Sequence, residues 1–419
     1  MKWLILFKGG IETQEFFSVE LAQEWEKQGF GIYWYDLMLE EESARMLGDF
    51  YEAHKEESIS AFTFNFNGIA GEEGLYKDGW NFWDYSGIRV VNMVVDHPLY
   101  YHRYLAIHPK NYIQICIDKV HVKYMERFFS DVKLCDISDY GLKGFVPLGG
   151  TKLNKDNSII RDSDYMPVSE RTIDIIFTGN YTPKEILRRN AENMEQEYID
   201  FYQSIIDRII DSPDETLDYA SEMMLRKQFG NISDEEIKMC MPNMMYVDLN
   251  VRFHYRALAV AALADAGFKV HICGEGFNYI KCTHPENIIG MGGGNSLKCL
   301  ELISQSKISL NVMPWFKEGA HDRIFNSMLN GAVVLSDTSE YLEEEFKDGK
   351  DLIFYDLNEL REYEKENIAV NELNMVKCVR KLLSDDSLIK EISDNAYARC
   401  ISAHTWKNRA DKIAALFDK

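Results

Sequence analysis

The sequence predicts an α/β protein of two doubly wound, parallel-sheet domains in tandem. Short apolar runs of strand length alternate with segments of helical apolar spacing, this alternation starts twice, and a polar stretch without periodicity separates the two series. At 419 residues the chain also exceeds what one compact core usually holds, so two domains are the default.

The first series opens with "KWLILF", a continuous apolar run. Gly9 and Gly10 turn the chain into "TQEFFSVELAQEWEKQGF", a helix with a glycine stop, and "GIYWYDL" is the next strand. Strand–helix–strand units of this kind need right-handed crossovers and a parallel sheet. "SAFTFNF", "RVVNMVVDHP", "YIQICID" and "VKLCD" continue as strands, and "GFVPLGG" closes the series near residue 150. Residues 151–170 read as a linker, which sets the expected domains at 1–165 and 166–400.

The second series starts with "TIDIIFTGNY". Residues 183–247, charged and methionine-rich, read as a helical insertion before "VRFHYRALAVAALADAGFKVHICGEG" restores the helix–glycine–strand order. "KISLNVMP", "AVVLSD" and "DLIFYDLNEL" supply further strands, and amphipathic helices follow from about residue 371. The last helix, 401–419, is expected to pack back on the first domain.

Forty-six basic residues against 68 acidic ones give a formal charge of −22, which repels nucleic acid and anionic bilayers alike. The eight cysteines have no CxxC pair or regular framework and read as reduced residues. The N-terminal apolar run is too short for a signal sequence, and no window of about 18 apolar residues marks a membrane span. A cytoplasmic protein is expected. The ten histidines show no HExxH and there is no DxD at a strand end, so neither a metal nor a cofactor is expected.

The candidate site is the stretch "FKEGAHDRIFNSMLNGAVVLSD". It follows the strand "KISLNVMP", and open α/β sheets bind ligands at the carboxyl ends of their strands. Ile324, Phe325, Met328 and Leu329 form one helix face, and Arg323, Asn326 and Asn330 form another. A helix N-terminus with an arginine in its first turn suits a diphosphate, with His321 and Asp322 beside it. Asn326 and Glu318 are placed to bond ribose or sugar hydroxyls. Solvent exposure of the polar face, with Asp322 as a cap, is the other reading.

The run from Lys307 to Asp337 resembles the signature of group 1 glycosyltransferases, and more narrowly their spore-maturation-type, CgeB-like branch. Glu318 matches the first acid of an acid-x7-acid pattern, Asn326 stands where the second acid falls, and "GAVVLSD" matches the strand that follows. "YLEEEFKDGKDLIFYDL", the closing "DDSLIKEISDNAYARCISAHTWKNRADKI", "VDHPLYY" and "VPLGG" extend the resemblance over nearly the full length.

The resemblance implies the GT-B fold, two Rossmann-like domains facing a cleft, and metal-independent transfer of a sugar from a nucleotide-diphospho-sugar, a UDP-sugar foremost. The acceptor is a hydroxyl of a protein or glycan. Glycine loops after strands then flank the nucleotide, so Gly179, Asn180, Gly274, Glu275 and Met291 join the donor site, while Lys184 stands near the place of a lysine that relatives use. Asp96 and His97 either end a strand before Pro98 or engage the acceptor, one as general base, with Gly9 and Gly10 close by. The alternative is a non-catalytic sugar- or nucleotide-binding protein of the same fold.

Overall fold

The computed structural model describes residues 1–153, 165–191 and 194–417. Parts of the expected linker, the insertion and the terminal helix, at 154–164, 192–193 and 418–419, therefore lie outside the described residues. The chain divides into two compact units, Met1–Gly149 with Thr405–Lys419, and Gly150–His404.

The strands of the first unit are β1 (Lys2–Lys8), β2 (Phe30–Asp36), β3 (Ser58–Phe64), a short pair β4 (Tyr76–Lys77) and β5 (Trp80–Asn81), β6 (Arg89–Val94), β7 (Tyr112–Cys116), and a second short pair β8 (Asp136–Ile137) and β9 (Leu142–Lys143). Five of them form a parallel sheet in the order β2-β1-β3-β6-β7. Leu4, Ile5, Leu6 and Phe7 are all buried, which explains why β1 is apolar without alternation. The run "VKLCD" departs from expectation. It touches β7 at a single bridge, Leu134 on Gln114, because the main chain pairs only through Lys133 and Cys135.

Residues after Thr405 complete this unit. Trp406 packs on Phe17 with ring centroids 4.8 Å apart, and Phe417 packs on Trp25 at 5.3 Å. Trp25 Nε1 donates to the Ala410 carbonyl at 3.1 Å, and Arg409 Nε to that of Leu148 at 3.0 Å.

The second unit holds β10 (Ile173–Thr178), β11 (Val270–Cys273), β12 (Ile288–Gly290), β13 (Ser306–Asn311), β14 (Val333–Ser336) and β15 (Ile353–Phe354). All run parallel, in the order β12-β11-β10-β13-β14-β15. Among the described residues, four α-helices lie in the insertion between Lys184 and Cys240, and the long helix Met245–Asp265 then leads into β11.

The division at Gly149/Gly150 lies well before the expected 165/166. Thr151 N donates to Asn326 Oδ1 at 2.8 Å, Leu153 N to Asn330 Oδ1 at 2.9 Å, and Asn330 Nδ2 to the Thr151 carbonyl at 2.9 Å. Side-chain amides of the helix Asp322–Leu329 and its cap thus pair the main chain of a segment whose polar composition reads as linker. Among the described residues no helix is long and apolar enough to cross a membrane.

Candidate functional site

Strand order reverses between β10 and β13 in the second sheet, and such a switch point opens a crevice at the carboxyl ends. Four segments meet there: the loops after β10, β11 and β13, and the helix Asp322–Leu329.

Arg323, 7% exposed, donates from Nη1 to Asn311 Oδ1 at 2.9 Å, and its guanidinium lies 5.4 Å from the centre of the Phe177 ring. His321, rather than Asp322, occupies the N-cap position. Its Nδ1 lies 2.7 Å from Asp322 Oδ1 and 3.3 Å from Arg323 N, and its Nε2 lies 3.4 Å from Arg323 Nη2. Burial and the Arg323 charge push the His321 pKa down, so the ring is neutral near pH 7. Burial pulls the Asp322 carboxyl up, but His321 and Arg323 outweigh it and hold it below the ordinary range.

Two arginines that sequence reasoning missed belong to the same cluster. Arg256, on the helix Met245–Asp265, donates from Nη1 to the Asn180 carbonyl at 2.8 Å and stacks near Trp315 and Phe177, at 5.3 and 5.9 Å. Arg252 lies 4.0 Å from the Trp315 ring centre and pairs with Asp248 at 2.8 Å. Arg256 is 7% exposed, its Nε is buried without a hydrogen-bond partner, and no carboxylate pairs with it among the described residues. Burial lowers its pKa, and Arg323 and Arg252 add to the effect. The signal in the sequence was an i,i+4 arginine pair, which reads as the solvated side of an amphipathic helix.

The glycine loops pack closely on each other. A Cβ on Gly274 would lie 1.8 Å from the Gly179 carbonyl oxygen, and one on Gly276 1.9 Å from that of Tyr181. Gly179 N donates to the Cys273 carbonyl, Tyr181 N to that of Glu275, and Glu275 N to Asn180 Oδ1. Gly179, Asn180 and Gly274 therefore close the loops after β10 and β11 on each other; the Glu275 side chain stays exposed. Gly274→Ala is expected to cost about 3 kcal/mol, because main-chain atoms cannot yield to the methyl group; thermal unfolding checks this.

Met291 is also committed. Its N–H donates to the Ile272 carbonyl, its own carbonyl accepts from Lys298 Nζ, and its side chain packs on the core. Lys184 lines another cavity, of about 490 Å³, with Tyr181 and His254. Glu318 lines a third region, a cavity of about 510 Å³ that also includes Asp337.

Asn326 accepts from Thr151 N and donates to Asp322 Oδ2 at 2.9 Å, so its amide is already engaged where a ribose contact was expected. Asn326→Ala should lower stability by about 1–3 kcal/mol through the unpaired Thr151 N–H while leaving UDP affinity unchanged. Melting curves with and without UDP separate the two effects.

In the first unit Gly9 has φ +80°, and its N–H donates to Glu15 Oε2 at 2.8 Å, which makes it a strand-to-helix turn; Gly10 follows it. Asp96 is half-buried, and its Oδ2 accepts from Asn65 Nδ2 at 3.1 Å and Tyr101 OH at 3.0 Å. Asn65 and Phe66 both adopt positive φ, +48° and +66°, at the end of β3, a strained conformation of the kind that collects at functional sites. His97, by contrast, is 7% exposed. Its Nδ1 accepts from Leu99 N, its ring packs on His121 and Tyr124, and burial, then His121, push its pKa well down. It is a neutral core residue that caps a turn, and not a base presented to an acceptor.

Residues 256–415 match a protein family described as "Glycosyl transferase-like", a match over less than half of the chain. No curated protein matches the sequence. Among solved structures, an alpha-glucosyltransferase in complex with UDP-glucose and DNA containing an abasic site is similar over 100% of both chains, with a TM-score of 0.53 and 12% identity. HepE of Anabaena in complex with UDP is similar over 99% of both chains, with a TM-score of 0.51 and 10% identity. At such identities the likeness is one of fold, and the chain has the two-domain α/β fold of the GT-B glycosyltransferases.

Proposed function

We propose that the protein is a glycosyltransferase that moves a sugar from a nucleotide-diphospho-sugar, a UDP-sugar foremost, to a hydroxyl of a protein or glycan. The observation that carries this reading is Arg256, a buried cation without a carboxylate, beside Arg323 at the switch point of the second sheet. A buried charge is costly unless paired, and a diphosphate supplies the missing anion.

In the transfer the bond between the anomeric carbon and the diphosphate oxygen breaks, the acceptor oxygen bonds to that carbon, and the hydroxyl proton passes to the departing diphosphate. Negative charge then grows on the departing diphosphate. Arg323 and Arg256, held in place by Asn311, the Asn180 carbonyl and the aromatic rings, stabilise that charge without reorganising. Glu318 and Glu275 bond donor hydroxyls. The family match over 256–415 and the UDP complexes of the fold relatives support the reading, and the motif resemblance favours the spore-maturation-type branch.

The test is a thermal-shift series with UDP, GDP, dTDP and their sugar conjugates, followed by nucleotide release without acceptor. A shift with UDP and slow release of UDP from a UDP-sugar are expected. Absence of any shift sinks the proposal. A shift without release favours a second reading, a GT-B protein that binds without transferring, which the engagement of Asn326 in the second-acid position supports.

A further inference from the structure

The cavity of about 510 Å³ lies at the carboxyl ends of β14 and β15, beside the loop after β13. Six carboxylates line it, those of Asp214, Glu318, Asp337, Glu340, Glu343 and Asp356, against the single ammonium of Lys317, which donates to the Pro213 carbonyl. Most of the six are partly or fully exposed and are balanced by solvent. Asp337 is different. It is 1% exposed, its Oδ1 accepts from Met313 N at 2.8 Å, and its Oδ2 is buried with no hydrogen-bond partner.

A buried carboxyl oxygen without a partner is rare in folded proteins and expensive. Three hydroxyls around it are committed elsewhere. Tyr355 OH is spent on the Asn311 carbonyl at 2.9 Å, Ser339 Oγ on that of Gly319 at 2.6 Å, and Thr338 Oγ1 is 3.0 Å from Glu343 Oε1. Six carboxylates against the one ammonium of Lys317, already bonded to the Pro213 carbonyl, leave the cavity short of positive charge. Among the described residues no three or more Asp, Glu, His or Cys side chains converge as metal ligands would, so the site suits an organic cation.

We propose that this cavity binds a ligand bearing a primary ammonium group, with Asp337 as its ion-pair partner and the surrounding carboxylates setting a negative field. An ammonium offers three donors, enough to satisfy Asp337 Oδ2 and a neighbouring acid at once. The burial that raises the Asp337 carboxyl to about 7 agrees with this, since an incoming cation would ionise it. Tyr355 in the cavity wall donates to the carbonyl of Asn311, whose Oδ1 accepts from Arg323, which places the cavity next to the arginine cluster. If the ammonium sits on the transferred sugar, the donor is an amino-sugar nucleotide; that identification rests on the glycosyltransferase reading, whereas the ammonium site does not.

The experiment is titration calorimetry on the full chain at pH 7 with putrescine, glucosamine, N-acetylglucosamine, UDP-glucosamine, UDP-N-acetylglucosamine and magnesium chloride. We expect the free amines to bind at least tenfold more tightly than N-acetylglucosamine. Asp337→Asn should abolish this preference, and Asp214→Asn, at an exposed wall position, should weaken it two- to threefold. UDP-glucosamine binding tenfold more tightly than UDP-N-acetylglucosamine supports the site and places the amine on the donor. Amine binding without any response to UDP supports the site and overturns the glycosyltransferase reading. Equal affinity for amine and N-acetyl ligands, a preference that survives Asp337→Asn, or magnesium binding lost in Asp337→Asn without amine preference each overturns the proposal.

Discussion

Arg256→Ala is expected to lower kcat/KM for the UDP-sugar by about 10²–10³-fold and to remove most of the UDP-induced rise in melting temperature. The magnitude follows from where the guanidinium stands. Its Nη1 is fixed on the Asn180 carbonyl, its guanidinium lies among Trp315, Phe253 and Phe177, and no carboxylate forms an ion pair with it among the described residues. Such a group is positioned before any ligand arrives, so its charge acts fully on a departing diphosphate.

The apo protein should respond differently. Removing Arg256 relieves repulsion with Arg323 and Arg252, which offsets the packing lost among the rings, so the melting temperature without UDP should change little. Arg256→Lys keeps the charge but loses the planar fork, and it should recover only part of the activity. Full activity in Arg256→Ala would make the cluster a structural feature of the sheet edge.

The second large effect concerns pH. Burial raises the Asp337 carboxyl from an ordinary 3.8 to about 7, opposed by the Met313 N–H and Lys317. The native state therefore holds this proton more tightly than the unfolded chain. The resulting stability is complete below about pH 4 and is lost as pH rises to about 7, a change of about 4 kcal/mol for three pKa units. Asn does not titrate and can still accept from Met313 N–H. Asp337→Asn should thus match or trail the wild type at pH 5 and exceed its melting temperature at pH 8. Parallel profiles across that range would show that Oδ2 is compensated in solution.

The parallel strands were legible because they are buried on both faces. β1 carries the unbroken apolar run WLILF, β10 the buried run IIF, and β13 the buried Ile308 and Leu310 between polar residues, and glycine and asparagine turns mark the strand ends. The expected position of Arg323, at the carboxyl ends of the second sheet's strands, followed from topology.

What the sequence concealed depends on contacts between distant residues. Asn326 and Asn330 form a polar helix face that reads as ligand-facing, yet its partners are the main-chain groups of Thr151 and Leu153, some 175 residues away. Gly274 reads as a ligand loop because a glycine shows that something comes close without showing what; here it is the Gly179 carbonyl. Arg252 and Arg256 stayed hidden in a helix whose spacing gives no hint of Trp315, about 60 residues on.

The first unit is closed by Thr405–Lys419, and this has a consequence for biosynthesis. A ribosome releases residues 1–149 long before Trp406 and Phe417 exist, so Phe17, Trp25 and Phe62 wait with their aromatic faces uncovered while the second unit is made. Domains usually fold in the order of synthesis. Here the later unit is continuous in the chain and can reach its native packing first, and the earlier one is finished last, which makes the nascent N-terminal half a natural client for chaperones that shield exposed aromatic surface.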